Sequence, residues 1–224
     1  VDNSFFRIQY RKSEPYISQI DLLNLFRRAF RRAGLSIAYS EGFNPQPVMS
    51  FGPALPLGFT GGQELLDVKM SIDYEPGVIM ESLKQAMPGA LEINSVTALK
   101  PGEPAINKIV DKAVYTYNID GQNIAHIKHA LDRMLKQETI EVVQKTPKKI
   151  RKRDFKPFIH AIEIISTENS DFLIFTLNMI NGNLPSPCHL FPLIFGEDYP
   201  GKDGAIQHLN RKEIILKNCR GTEK

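Results

Sequence analysis

Between Gly34 and Phe59, turn formers recur at Gly42, Pro45, Pro47, Gly52, Pro53, Pro56 and Gly58, with Phe43, Val48, Met49, Phe51, Leu55, Leu57 and Phe59 set among them. A solvated linker does not carry so many apolar side chains. The stretch therefore reads as an ordered, shaped loop that packs on the body of the protein, the kind of loop that often carries function. Whatever fold the chain takes must accommodate one long connection here and build its regular elements on either side.

Those elements follow from periodicity. Phe6, Ile8 and Tyr10 alternate with Arg7, Gln9 and Arg11, the pattern of a half-exposed strand. A helix is expected from Ser18 to Ala33, with Ser18 and Asp21 as its cap and Gly34 as its stop. At roughly 100° per residue, Leu23, Phe26, Phe30 and Ala33 share one face of it. Leu35 to Tyr39 reads as a short second strand and Leu65 to Ile72 as a third. Pro76 opens a second helix with Ile79, Leu83 and Ala86 inward, stopped by Pro88 and Gly89, and Leu91 to Leu99 is the fourth strand. The order is that of a split βαβ unit.

Lys100-Pro101-Gly102-Glu103-Pro104 reads as a boundary. Beyond it come a strand at Val114 to Ile119, a helical stripe of Ile124, Ile127, Leu131 and Met134, and a short strand at Ile140 to Gln144. A hairpin follows from Phe158 to Ile180, then a short helix opened by Ser186 and Pro187, and a closing strand at Glu213 to Lys217. The expected fold is α+β, two ferredoxin-like units in tandem. The first spans residues 1–100 with its signature loop at 40–62, and the second spans 105–224 with a basic connection at 145–156.

At 224 residues the chain can bury a core without covalent staples. Cys188 and Cys219 make no disulfide framework, no apolar run is long enough for a bilayer, and the first residues lack a signal profile. The cytoplasm is the expected compartment. Formal net charge is only +3, so attraction to an anionic partner must come from local clustering.

Two clusters stand out. Arg27, Arg28, Arg31 and Arg32 fall on one helix face with Asn24 and no acid at i±4, an arrangement able to grip phosphates bidentately. The plainer reading is a solvated face. Lys145, Lys148, Lys149, Arg151, Lys152, Arg153 and Lys156 meet one acid, Asp154, and suit a nucleic-acid backbone, or else a soluble loop between strands. In the signature loop, Tyr39, Ser40, Glu41, Phe43, Asn44 and Gln46 could hold a base, or satisfy the loop's own backbone. Tyr10, Tyr115 and Tyr117 on strands are more simply core. His126, His129 and Asp132 share a helix face but form a poor metal set, and Cys188 reads as a buried small residue. The chain has no three-cysteine cluster, no GxxxxGK[ST] loop and no GxSxG elbow, which argues against radical, NTP-driven or serine-hydrolase chemistry by this chain alone. No metal or cofactor is expected.

The run from Tyr16 to Val68 resembles a bacterial family of unknown function, the radical S-adenosylmethionine-linked proteins. The resemblance is carried by Ile17 to Leu22, Phe26-Arg27-Arg28-Ala29, Arg31 to Gly34, Ala38 to Pro45, Ser50 to Gly58 and Glu64 to Val68, and more weakly by Asp154 to Ile159. Members of that family are encoded beside, or fused to, a radical S-adenosylmethionine enzyme that also carries a cobalamin-binding-type domain. The resemblance thus implies such an enzyme as partner and supplies no mechanism. Gln19 and Gln46 stand where the family usually shows histidine, and an amide neither transfers protons nor binds metal at neutral pH.

The leading expectation is an accessory RNA-binding protein working with a radical S-adenosylmethionine enzyme, in RNA modification. Arg27, Arg28, Arg31 and Arg32 would hold phosphates, Tyr39, Phe43 and Asn44 would contact a base, and Lys148, Lys149, Arg151, Lys152 and Arg153 would steer the strand. One alternative is a metal-independent endoribonuclease of tandem ferredoxin-like type using Tyr39, Glu41 or a distant histidine as base. Another is a protein-interaction module docking its partner through the apolar loop around Phe43.

Overall fold

A computed structural model describes residues 4–146, 149–196, 199 and 209–217, without the side chains of 144–151. The fold is mixed α+β, and the chain divides into two compact units, Val1–Val110 with Leu216–Lys224, and Asp111–Ile215.

In the first unit the elements run β1 (Phe5–Lys12), α1 (Gln19–Arg32), β2 (Met49–Phe51), β3 (Thr60–Lys69), α2 (Pro76–Ala86), β4 (Leu91–Ala98) and α3 (Ile106–Ile109). Strand β1 lies between β4 and β3, β2 pairs with β3, and all three pairings are antiparallel. Alternation places Phe6, Ile8 and Tyr10 of β1 in one buried cluster with Phe26 and Phe30 of α1 and Ile79 and Leu83 of α2. Tyr10 meets Phe26 edge-on at 5.0 Å between ring centres, and Phe51 meets the same ring at 5.7 Å. Burying such side chains contributes roughly 1.5–3 kcal/mol each.

Two expectations change here. Leu35 to Tyr39 makes no continuous strand, only isolated bridges from Ile37 to Met70 and from Tyr39 to Pro47. The true edge strand is β2, inside the supposed loop, because Met49, Ser50 and Phe51 register against Val68, Asp67 and Leu66. Strand β3 also begins earlier than expected, at Thr60, where the polar and glycine-rich start of the strand still pairs with β1 through Gly61 and Lys12.

The second unit contains β5 (Val110–Asn118), α4 (Ile124–Leu135), β6 (Glu141–Thr146), β7 (Lys149–Asp154), β8 (Ile159–Ser166), β9 (Asp171–Asn178), α5 (Phe191–Phe195) and β10 (Leu209–Leu216). Its main strands lie in the order β10-β5-β9-β8, while β6 and β7 form a separate two-stranded ribbon. Tyr115, Tyr117, Phe175 and Phe191 fill the core beside Ile127 and Leu131 of α4, so the strand tyrosines are structural. The basic connection is therefore no loop. Glu141 pairs with Asp154, Val142 with Arg153 and Val143 with Lys152 in an antiparallel register. Val142 is buried while Val143 is exposed, the period-two alternation of a strand pinned on one side.

Candidate functional site

The site begins with how α1 is capped. Ser18 Oγ accepts the Asp21 N–H at 3.2 Å and donates to the Asp21 carboxylate at 2.6 Å, which sets the first turn. At the other end Leu35 N–H donates to the Phe30 carbonyl at 3.0 Å and Gly34 N–H to the Arg31 carbonyl at 3.2 Å. These are the paired bonds of a Schellman close, and they need Gly34 at φ 69°. The reversal brings Leu35, Ser36 and Ile37 back beside the last turns of the helix. Ser36 N–H then donates to the Tyr74 hydroxyl at 2.9 Å, fixing that return.

The next residues form the stem of the signature loop. Ala38 N–H donates to the Lys69 carbonyl at 2.8 Å, and the Ala38 carbonyl accepts from Val48 N–H at 2.9 Å. Ser40 N–H donates to the Gln46 carbonyl at 2.8 Å, and Gln46 N–H returns a bond to Ser40 Oγ at 3.0 Å. Tyr39 thus sits on a short ladder anchored to β3, with its ring half-exposed.

These two pieces enclose a cavity of about 490 Å³. Asn24, Arg27, Arg28 and Arg31 line it from α1, Ser36 and Tyr39 face them, and Phe30, Leu35 and Ile37 make an apolar floor. Among the described residues no carboxylate or histidine lines it. Among the same residues, Arg27, Arg28 and Arg31 make no ion pair within 4.0 Å. Arg31 lies in the helix's last turn, where the macrodipole favours a cation. Arg27 and Arg28 lie earlier and gain little from it, while like charges at i,i+4 such as Arg27 and Arg31 destabilise a helix by a few tenths of a kcal/mol. The arrangement holds positive charge ready for an anion.

Not every expected residue joins it. Arg32 turns away and donates through Nη2 to the Ala86 carbonyl at 2.5 Å, satisfying the open end of α2. Phe43 and Asn44 stand outside the cavity at the loop tip, and Phe43 is fully exposed at 112%. The Asn44 amide oxygen accepts from Gln46 Nε2 at 3.2 Å, so Gln46 braces the loop. The loop packs through Pro47 and Phe59 at its base and leaves residues 41–46 exposed, because a stem of only a few bonds carries the tip beyond the core. Glu41 is exposed and lines no part of the cavity.

The basic ribbon behaves differently. Lys148 lies outside the described residues, as do the side chains of Lys145, Lys149 and Arg151. Lys152 bonds Glu141 at 2.8 Å, which raises its pKa through the hydrogen bond and the opposite charge. Arg153 lies over the Phe158 ring at 4.2 Å, and Lys156 Nζ donates to the Leu135 carbonyl at 2.5 Å. These cations serve their own unit. Burial pushes the Cys188 thiol up to about 11, which makes it a poor nucleophile. Among the described residues no group of three His, Cys, Asp or Glu is placed to hold a metal, and no helix is long and apolar enough to cross a membrane.

Sequence reasoning missed a second cavity in the first unit, of about 760 Å³. Phe5, Val48, Met49 and Leu99 supply its apolar lining, and Ser40, Gln46 and Lys100 its rim. Beneath them Arg7 grips Asp67 bidentately at 2.7 and 2.9 Å, and Asp67 also accepts the Ile106 N–H at 2.8 Å. The signal was available: Asp67 interrupts the apolar run Leu65, Leu66, Val68, and a charge there must be paired.

No curated protein matches the sequence. Among solved structures, an unknown protein from Galdieria sulphuraria is similar at 10% identity over 79% of this chain and 81% of that one. Its TM-score of 0.28 is too low to carry an argument. Residues 6–184 match DUF2344, described as an uncharacterized protein conserved in bacteria, and the chain belongs to that family.

Proposed function

We propose that this protein is an accessory RNA-binding protein that holds phosphate in the arginine cavity of its first unit and works with a radical S-adenosylmethionine enzyme in RNA modification. The observation that carries the RNA reading is the convergence of Arg27, Arg28 and Arg31 with Tyr39 on one concavity without a carboxylate among its described lining. Guanidinium forks match phosphate oxygens bidentately, and a half-exposed tyrosine offers a stacking face to a base. The partner rests on the family resemblance of residues 16–68 and on nothing in the cavity. We place the protein in the cytoplasm on composition alone.

Both units also support the tandem ferredoxin-like reading. Numbering each unit's main strands by chain order gives 4-1-3-2 twice, as β4-β1-β3-β2 and as β10-β5-β9-β8, with the β6–β7 ribbon inserted in the second. In each unit a helix follows the first strand and another precedes the last.

The test is binding of single-stranded RNA by the full chain and by its R27Q/R28Q/R31Q variant over a range of salt. Affinity should fall and its salt dependence flatten in the variant. Equal affinity at every salt concentration would remove the RNA role. The endoribonuclease alternative draws no support from the cavity, since Glu41 lies outside it and no histidine or carboxylate joins Tyr39 among its described lining. One observation favours a second reading, docking of a protein partner: Phe43 projects bare from a braced loop. Phe43→Ala should then abolish partner capture while leaving RNA affinity intact.

A further inference from the structure

We infer that the arginine cavity takes the terminal phosphomonoester of an RNA strand in preference to the phosphodiesters within it. This rests on the RNA reading above and narrows it. Proteins that track single strands spread their cations along a groove, one phosphate after another. Here Asn24, Arg27, Arg28 and Arg31 lie at i, i+3, i+4 and i+7 of one helix and meet in one concavity of about 490 Å³. That is the size of a small-ligand pocket.

Charge balance points the same way. Three guanidiniums line the cavity and no acid among the described residues offsets them. An internal phosphodiester brings one negative charge, whereas a monoester brings about 1.5 to 2, with three strong acceptor oxygens. Only the chain end comes near to neutralising the site and giving each fork an oxygen. Phe30, Leu35 and Ile37 are buried where they line the cavity, so its polar groups are gathered on the α1 side and at Ser36 and Tyr39. Tyr39 is then placed at the mouth, where the terminal base or ribose would lie.

The experiment compares three single-stranded RNAs of one sequence, carrying a 5′-phosphate, a 3′-phosphate or neither, on the full chain near physiological salt. One phosphorylated strand should bind about tenfold more tightly than the unmodified one, a difference of about 1.4 kcal/mol. Inorganic phosphate should compete with it, and R27Q/R28Q/R31Q should erase the preference. Because the described lining has no histidine or carboxylate, the preference should shrink between about pH 7.5 and pH 5, as the monoester dianion takes up a proton near pH 6 and becomes a monoanion. Arg27→Lys keeps the charge but loses the fork, and should lower the preference without changing the thermal melt.

Equal binding of all three strands overturns the inference. If the arginine variant still weakens them equally, the RNA reading survives and only the chain-end preference falls. Binding of none of them ends both. Capture of a phosphoserine peptide with no RNA bound also ends both, in favour of a protein ligand.

Discussion

The helix α1 and the ribbon β6–β7 are two basic regions among the described residues, and their described side chains use their charge in opposite ways. On α1, Arg27, Arg28 and Arg31 open into a cavity and find no acid among the described residues. On the ribbon, Lys152 is held by Glu141 and Arg153 by the face of Phe158. The ribbon looks the stronger attractor in sequence, because seven cations fall within residues 145–156. Yet adjacent residues on a strand point to opposite faces, and the facing strand supplies partners. Residues three and four apart on a helix gather on one face instead. Among the described side chains, helical spacing leaves Arg27, Arg28 and Arg31 without an ion pair, while Lys152 and Arg153 of the ribbon have partners.

The largest expected effect tests that contrast directly. R27Q/R28Q/R31Q should weaken single-stranded RNA binding roughly 100-fold, about 1 kcal/mol for each charge-assisted hydrogen-bonding fork removed. The slope of log affinity against log salt should become shallower by about 1, as the three guanidiniums no longer neutralise the phosphate they share. Lys152→Gln with Arg153→Lys should change affinity by less than about threefold, since surface pairs of this kind contribute little. A greater weakening from the ribbon than from the helix would reverse the comparison.

Two smaller effects sharpen it. Gly34→Ala forces a left-handed φ on a residue with a Cβ and should cost about 1–2 kcal/mol in urea unfolding. Space is not the cause, since nothing lies within 4 Å of the added atom. RNA affinity should fall with it, because Ser36 and Tyr39 are positioned by that close. Arg153→Ala should cost about 1 kcal/mol of stability by taking the guanidinium off the Phe158 ring, and should leave RNA affinity unchanged. If Arg153 changed binding and not stability, it would belong with the helix arginines.

The bounds of α1 were legible to within a residue, because cap and stop agreed, while its buried stripe is Leu22, Phe26, Ala29 and Phe30 where Leu23, Phe26, Phe30 and Ala33 were expected. The arginine cavity was half legible. The helix face followed from periodicity, and the nearness of Tyr39 followed from the loop coming directly after the helix. That Arg32 leaves for Ala86 was not legible, since its partner is 54 residues away. Phe43 escapes sequence reasoning for a related reason. Composition says that an apolar residue has a place to go, but the stem's few bonds project it past any surface that could cover it. The first strand of the ribbon was legible at Ile140 to Gln144, but its return, β7, was hidden because Lys149, Arg151, Lys152 and Arg153 leave no apolar alternation to mark it.

The smallest expected effect asks whether Arg153 is felt inside its own unit. His189 lies with its ring 6.1 Å from that of Phe155, and burial, then the nearby Arg153 charge, hold its pKa below the ordinary 6.5. Between the lowered folded pKa and 6.5 the unfolded chain carries a proton that the folded chain does not. The stability linked to this group is therefore complete above 6.5 and is lost as pH falls through the folded pKa. Arg153→Gln removes the lesser cause and leaves burial in place, so the His189 titration should move up while remaining below 6.5. Ring-proton NMR of the two proteins reads the shift, and urea midpoints at about pH 7.5 and pH 5.5 read its consequence for stability. An unmoved titration would mean that Arg153 directs its charge to solvent, and the ribbon's cations would then be as open to an anionic partner as those of α1.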